Sequence, residues 1–245
     1  MSDTRIYTDA PIAAGESVEL RDERARYVSR VLRLRPDDRV TLLDGCGAEY
    51  PATIASLRKD VVILTVIDRV DIDRESSLRI SLLQGVSRGE RMDFVVQKTT
   101  ELGVARITPL LTDYSVVKLD EKRTLKKMRH WRGVAASACE QCGRNVLPVV
   151  DPPIGLRNWL GENMHDDNHR IILQPGAEAS IGDVDGRGDS ITVLVGPEGG
   201  FSEAEYDLAA DCGFRAVGLG PRILRTETAA VAIVTALQTL FGDLA

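Results

Sequence analysis

Aromatic residues make up only 4% of this 245-residue chain, so its core has to be built from aliphatic side chains and alanine. Histidine is also scarce, at positions 130, 165 and 169, and cysteine occurs four times, at Cys46, Cys139, Cys142 and Cys212. A structural zinc site takes about four ligands. The C-x-x-C of Cys139 and Cys142 has no second Cys or His pair at a useful spacing, and VAASACEQCGR reads as helix. Reduced thiols and no metal are therefore expected. No apolar run approaches the roughly 20 residues that span a bilayer. The first residues, MSDTRIYTDAPIAAGESVELRD, lack the basic and apolar regions of a secretory signal, so a cytoplasmic location is expected. No G-x-G-x-x-G opens a helix after a strand, which argues against a dinucleotide-dependent oxidoreductase.

Net charge is −6, which argues weakly against a nucleic-acid partner, but it is unevenly spread. Residues 1–72 carry 11 basic and 13 acidic side chains, residues 73–150 carry 14 and 9, and residues 151–245 carry 6 and 15. The middle is basic, and phosphate binding depends on local positive patches rather than on the total.

The first seventy residues read as short strands around one helix. RIYTD, ESVEL, DRVTLLDG, EYPATIASL and DVVILTVIDRV are strand-like, and RDERARYVSRVLRL has helical apolar spacing that Pro36 stops. This is the pattern of a small β-barrel-like domain, followed by a polar linker at 71–77. From residue 78 strands alternate with helices: LRISLLQGV, RGERMDFVVQKTTELG, ARITPLLT, a long basic helix over 121–142, RIILQPG, SITVLVGPEGG, SEAEYDLAADCG, FRAVGLG and TETAAVAIVTALQTLFG. Ser202 and Glu205 form a capping-box pattern, and Gly103, Gly213 and Gly242 mark helix ends. Such alternation implies a mostly parallel sheet covered on both faces. The expected division is 1–72 and 73–245.

Chemistry concentrates in two loops of the second part. Gly196-Pro197-Glu198-Gly199-Gly200 follows a buried strand and precedes a capped helix, where glycine lets a ligand approach the backbone. A phosphate loop is disfavoured, because no Lys or Ser/Thr stands where a Walker loop needs one and Glu198 would repel phosphate. A cationic or neutral ligand fits better, such as the sulfonium of S-adenosylmethionine; a purely structural glycine turn is the bland alternative. The second loop, LGPRILRTETAA at 219–230, places Ile223 and Leu224 between Arg222 and Arg225. An N-cap at Thr226 or Thr228 with Glu227 in the first turn accounts for the polar residues, but not for an apolar pair between arginines. A ligand site with apolar walls does.

GPEGGFSEAE followed by LGPRILRTETA resembles the RsmE family of uridine-N3 methyltransferases of small-subunit ribosomal RNA, members of the SPOUT superfamily. QKTTELGVARITPL, EQCGRNVLPVV and VLRLRPDDRVTLLDGCGAEYPATI extend the resemblance over nearly the whole chain. It implies an α/β, SPOUT-type knotted methyltransferase domain with a parallel sheet at 73–245, its trefoil knot near the C-terminus, after a PUA-like RNA-binding β-barrel at 1–72. It also implies S-adenosyl-L-methionine as cofactor, a homodimer, and ribosomal RNA or the small subunit as partner. By motif match the cofactor loops are 173–176, 196–200 and 219–229. They carry Leu173, Gln174, Gly196, Pro197, Glu198, Gly200, Leu219, Gly220, Ile223, Leu224, Thr226 and Ala229.

Uridine N3 is a poor nucleophile while protonated. Arg225 is expected to stabilise negative charge on a uracil oxygen, and Glu198 and Glu227 are candidate proton acceptors or partners of an arginine. Arg30, Arg33 and Arg35, with Lys98 and Arg144, are the expected RNA contacts, and charge on a helix is equally a solvated face. A ribose 2′-O-methyltransferase of the same superfamily and a non-catalytic RNA-binding protein remain open alternatives at this level.

Overall fold

Alternation of buried and exposed side chains begins at once. In the computed structural model, which describes residues 4–115, 121–164, 169–184 and 190–244, the strand Ser17–Arg21 buries Val18 and Leu20 and exposes the residues between them. This strand, β2, belongs to a six-stranded sheet with β1 (Thr4–Tyr7), β3 (Arg39–Leu43), β4 (Ala48–Arg58), β5 (Val61–Val66) and β6 (Val70–Asp71). The order is β1-β3-β4-β5-β2, with β6 on β4. Ile6, Leu20, Leu42, Ile54 and Leu64 fill the core of this unit, each buried side chain worth about 1.5–3 kcal/mol.

The helix expected over 21–34 is shorter. It comprises α1 (Asp22–Arg26) and a π-helical turn, Tyr27–Val31. Arg33, with φ of 55°, is left-handed, so the helical path is left before Pro36.

This first unit runs to Glu75 and also takes in Cys139–Leu147, a segment the sequence reading placed with the second part. Its ties are specific. Glu140 accepts the Tyr7 amide at 2.8 Å and Arg24 at 3.1 Å, and Asn145 Nδ2 donates to the Ile72 carbonyl at 2.9 Å. The polar stretch 71–77, expected as a linker, holds Glu75 paired with Arg144 and Arg74 paired with Glu49. No periodicity reports such contacts between distant positions.

The second unit, Ser76–Ala138 with Pro148–Ala245, is built on seven parallel strands. They are β7 (Arg79–Gly85), β8 (Arg106–Leu111), β9 (Val149–Val150), β10 (Ile154–Gly155), β11 (His169–Leu173), β12 (Ser190–Val195) and β13 (Arg215–Val217). The order is β10-β8-β7-β12-β11-β13, with β9 on β8. Successive side chains point to opposite faces. Ile80, Leu82, Ile171 and Val193 meet α2 (Arg91–Glu101), α3 (Glu121–Cys142) and α6 (Thr226–Phe241) on one face. Leu83, Ile172 and Leu194 meet α4 (Leu156–Glu162) and α5 (Glu203–Asp211) on the other. The helix α4 lies in a stretch for which the sequence reading made no assignment. The capping box of α5 is formed: Ser202 accepts from the Glu205 amide and Glu205 from the Ser202 amide. Gly103 and Gly213, both at φ of 82°, end α2 and α5.

Candidate active site

In a parallel sheet, ligands bind beyond the carboxyl ends of the strands. Here β12, β11 and β13 are neighbours, so the loops that follow Val195, Leu173 and Val217 meet at one edge. They are tied to each other. The Gln174 amide donates to the Val217 carbonyl at 3.1 Å and the Gly218 amide to the Ala179 carbonyl at 2.8 Å. Thr226 Oγ1 donates to the Gly196 carbonyl at 2.6 Å and accepts from Gln84 Nε2 at 2.9 Å. A cavity of about 600 Å³ opens between these loops.

Leu173, Gln174, Gly196, Pro197, Glu198, Gly200, Leu219, Gly220, Ile223, Leu224, Thr226 and Ala229 all line this cavity, as do Arg225 and Glu227. Their parts differ. The Thr226 hydroxyl is committed to Gly196 and Gln84. The N-cap of α6 is Arg225, with no side-chain cap bond, so neither Thr226 nor Thr228 caps the helix. Ile223 is 85% exposed, and the enclosed apolar walls are Val195, Phe201 and Val217 with partly buried Leu173, Leu219 and Leu224.

The carboxylates are held by a residue the sequence reading passed over. Arg91, at the start of α2, forms an ion pair through Nη1 with Glu198 Oε1 and lies 3.8 Å through Nε from Glu227 Oε1. Glu198 Oε1 also accepts the Arg88 amide at 3.1 Å. Burial pushes the Glu198 carboxyl up, but backbone N–H donors and the Arg91 guanidinium outweigh it and hold it below the usual range. Glu227 is different: its Oε2 is buried with no hydrogen-bond partner among the described residues. Arg225 is exposed and makes no ion pair among the described residues, so the pairing considered between it and either glutamate is not formed.

Three glycines set the backbone. A Cβ on Gly85 would overlap Pro197 N and lie 2.5 Å from Pro197 Cδ, so β7 reaches the 196–200 loop only because residue 85 is glycine. A Cβ on Gly196 would press on Gly200 and Phe201 at 3.2 Å, while Gly220 has open space but φ of 81°.

A family model described as "RNA methyltransferase domain" matches residues 74–238, and one described as "RNA methyltransferase PUA domain" matches residues 20–67. Ribosomal RNA small subunit methyltransferase E of Buchnera aphidicola is 34% identical, over 98% of this chain and 94% of its own length. The protein of that name from Bacillus subtilis is 30% identical over 96% of each. The chain belongs to the ribosomal RNA small subunit methyltransferase E family.

Two solved structures similar to it carry S-adenosylmethionine. A Legionella pneumophila methyltransferase is 38% identical with a TM-score of 0.95, and the methyltransferase E of Neisseria gonorrhoeae is 39% identical with a TM-score of 0.91; each covers both chains fully. The fold is thus the SPOUT-type α/β methyltransferase domain after a PUA-like domain. The cavity suits this cofactor on its own chemistry. It has apolar walls for a base, and Glu198 and Glu227 place two carboxylates on the Arg91 side of the wall, where a cation would be favoured locally. The buried acceptor Glu227 Oε2, with no hydrogen-bond partner among the described residues, suits a ligand that brings N–H donors.

In this member of the methyltransferase E family the expected RNA contacts divide. Arg30, Arg33 and Arg35 are exposed. Lys98 is partly buried and paired with Glu101 at 2.9 Å. Arg144 is only 5% exposed and bonds Glu75 through Nε at 3.1 Å and through Nη2, so the expectation of a surface contact is corrected to an internal tie. Its solvated alternatives on α3, Arg129 and Lys126, are exposed. No cluster of potential metal ligands occurs among the described residues. Cys139 is buried, Cys142 is exposed, and both are free. Arg91 was legible only as an ordinary helix-start residue in RGERMDF, since nothing in its neighbours signals two distant glutamates.

Proposed function

We propose that this chain uses S-adenosylmethionine to methylate N3 of a specific uridine in the 16S RNA of the small ribosomal subunit. The observation that carries the reading is the cavity at the carboxyl edge of β11, β12 and β13, whose wall joins Arg225, a guanidinium with no ion pair among the described residues, to Glu227, a carboxylate whose buried Oε2 has no hydrogen-bond partner among them. The names of the full-length relatives support the substrate.

Residues of the three loops would hold the cofactor, which when bound supplies a methyl group already activated on sulfonium. The chain's own task is the uracil. Arg225 directs its donor fork at a uracil oxygen and stabilises the charge that develops as N3 loses its proton. Glu227 Oε2 receives that proton. Glu198, whose Oε1 is held by Arg91 and the Arg88 amide, orients rather than accepts.

The carboxyl-edge loops form a trefoil knot, consistent with Thr226 tied at once to the ends of β7 and β12. The protein works as a homodimer in the cytoplasm; exposed Phe94 and Leu240, on the packed pair α2 and α6, are apolar surface suited to a second copy. No helix among the described residues is long and apolar enough to cross a membrane. Residues 1–72 grip RNA through Arg30, Arg33 and Arg35, and residues 73–245 carry out the transfer.

The test is methyl transfer to small subunits from a strain lacking the enzyme, followed by mass spectrometry of the nucleosides. 3-Methyluridine is expected. A 2′-O-methylated nucleoside, or no methyl transfer by a protein that binds the RNA, would overturn the assignment.

A further inference from the structure

Arg91 belongs to none of the three loops of the cavity, yet it is the cation that two of its carboxylates share. Its Nη1 pairs with Glu198 of the 196–200 loop, and its Nε faces Glu227 in the first turn of α6 at 3.8 Å. The guanidinium is planar and offers donors on several edges, so one side chain can face two carboxylates in different directions. Arg91 is itself set by α2, whose Val95 and Val96 are fully buried in the core beneath. A rigid helix therefore fixes the distance between a loop and a second helix.

Charge gives a reason for a clasp here. Without Arg91, Glu198 and Glu227 would be two negative groups on one cavity wall, and each would tend to turn away from the other. Glu198 would keep the Arg88 amide. Glu227, with Oε2 already lacking a partner, would have no cation among the described residues. The other charged or titratable side chains on the wall are Arg222 and Arg225, both exposed and unpaired among the described residues, and Tyr206.

We infer that Arg91 is a positioning residue for cofactor binding: it clasps Glu198 and Glu227 so that the loop at 196–200 and the start of α6 hold the cavity in its binding shape. This rests on the assignment of the cavity to S-adenosylmethionine. A clasp and a simple counter-ion predict opposite signs. If Arg91 only offset negative charge, its loss would make the wall less positive and tighten a sulfonium ligand relative to a neutral one. If it clasps, its loss weakens both alike.

The experiment is calorimetric titration of the whole protein with S-adenosylmethionine and with S-adenosylhomocysteine, whose sulfur is uncharged, in wild type, Arg91→Met, Arg91→Lys and the double variant Arg91→Met with Glu198→Gln. Thermal unfolding of each without ligand identifies any variant that does not fold, and Arg91→Lys retains the charge and the stem if Arg91→Met fails. Arg91→Met is expected to weaken both ligands by about tenfold, the size of one lost charge-assisted contact. Arg91→Lys should recover only part, because a point charge cannot face both carboxylates. The double variant should be no weaker than Arg91→Met, since residues acting as a unit are not additive. Unchanged affinities in Arg91→Met, tighter sulfonium binding with the neutral ligand unchanged, full recovery by lysine, or additive loss in the double variant would each overturn the clasp. A wild-type protein that binds neither ligand would sink the cofactor assignment itself, and the clasp with it.

Discussion

Replacing Gly85 with alanine adds one methyl group at the end of β7, and the structure specifies what that methyl would meet. Its Cβ would overlap Pro197 N, lie 2.5 Å from Pro197 Cδ and 2.8 Å from Gly196 C. Ordinary contact begins near 3.4 Å, so the 196–200 loop has to retreat by about 1 Å. None of these atoms is the end of a flexible side chain. Thr226 adds resistance, because its hydroxyl is bonded to the Gly196 carbonyl at 2.6 Å and to Gln84, the neighbour of Gly85, at 2.9 Å. Overpacking of this kind costs about 1–3 kcal/mol, and the rigid contacts here put Gly85→Ala at about 3 kcal/mol. For a chain of this size that is roughly 6–12 °C in Tm. Displacing Glu198 and the cavity wall should also weaken S-adenosylmethionine binding. Calorimetric unfolding and ligand titration on the same variant measure both. A Gly85→Ala protein with wild-type Tm and wild-type affinity would refute the claim that this close approach shapes the site.

Arg225→Ala should lose about a hundred- to a thousandfold in single-turnover methyl transfer, with Tm and cofactor affinity retained, because the exposed guanidinium pairs with no carboxylate among the described residues; lost affinity with a normal saturated rate would remove it from the catalytic set. Changing the exposed Arg33 and Arg35 to glutamate should weaken RNA binding and flatten its salt dependence while leaving cofactor titrations unaltered, and an unchanged slope of affinity against salt would make these residues ordinary solvated charges. Thiol labelling of the native protein at pH 8 should reach exposed Cys46 and Cys142 quickly and spare Cys139, whose thiol burial pushes up to about 12; rapid modification of Cys139 would contradict its enclosure.

The parallel sheet and its helices were readable because apolar period and helix stops are local. Ser202 with Glu205, Gly103 and Gly213 act within a turn or two of where they stand, and each does what its neighbours suggest. The helix expected to reach Leu34 was misjudged for the complementary reason. Its apolar spacing continues, but Arg33 turns left-handed and Leu32 and Leu34 pack into the first unit's core along a non-helical path. Arg144 is an expected RNA contact because it falls in EQCGRNVLPVV, a stretch that resembles the family. Its burial against Glu75 depends on where the fold returns that stretch, which charge alone does not encode.

By itself the sequence determined which loops carry chemistry: glycines beside Glu198, and arginines enclosing an apolar pair, are unusual enough after a strand to stand out. The family resemblance of its motifs, rather than strand pattern, pointed to the cofactor-loop residues that line the cavity, and Arg91, Phe201 and Tyr206 were not among them. Tertiary structure alone decided how those residues are used. The strand order β12-β11-β13 joins three loops at one edge, Gly85 lets β7 reach Pro197, and α2 delivers Arg91 to Glu198 and Glu227, more than 100 positions away in the chain. The division follows from range: propensity and spacing act over a few residues, whereas an ion pair or a backbone approach depends on distances that only the completed packing sets.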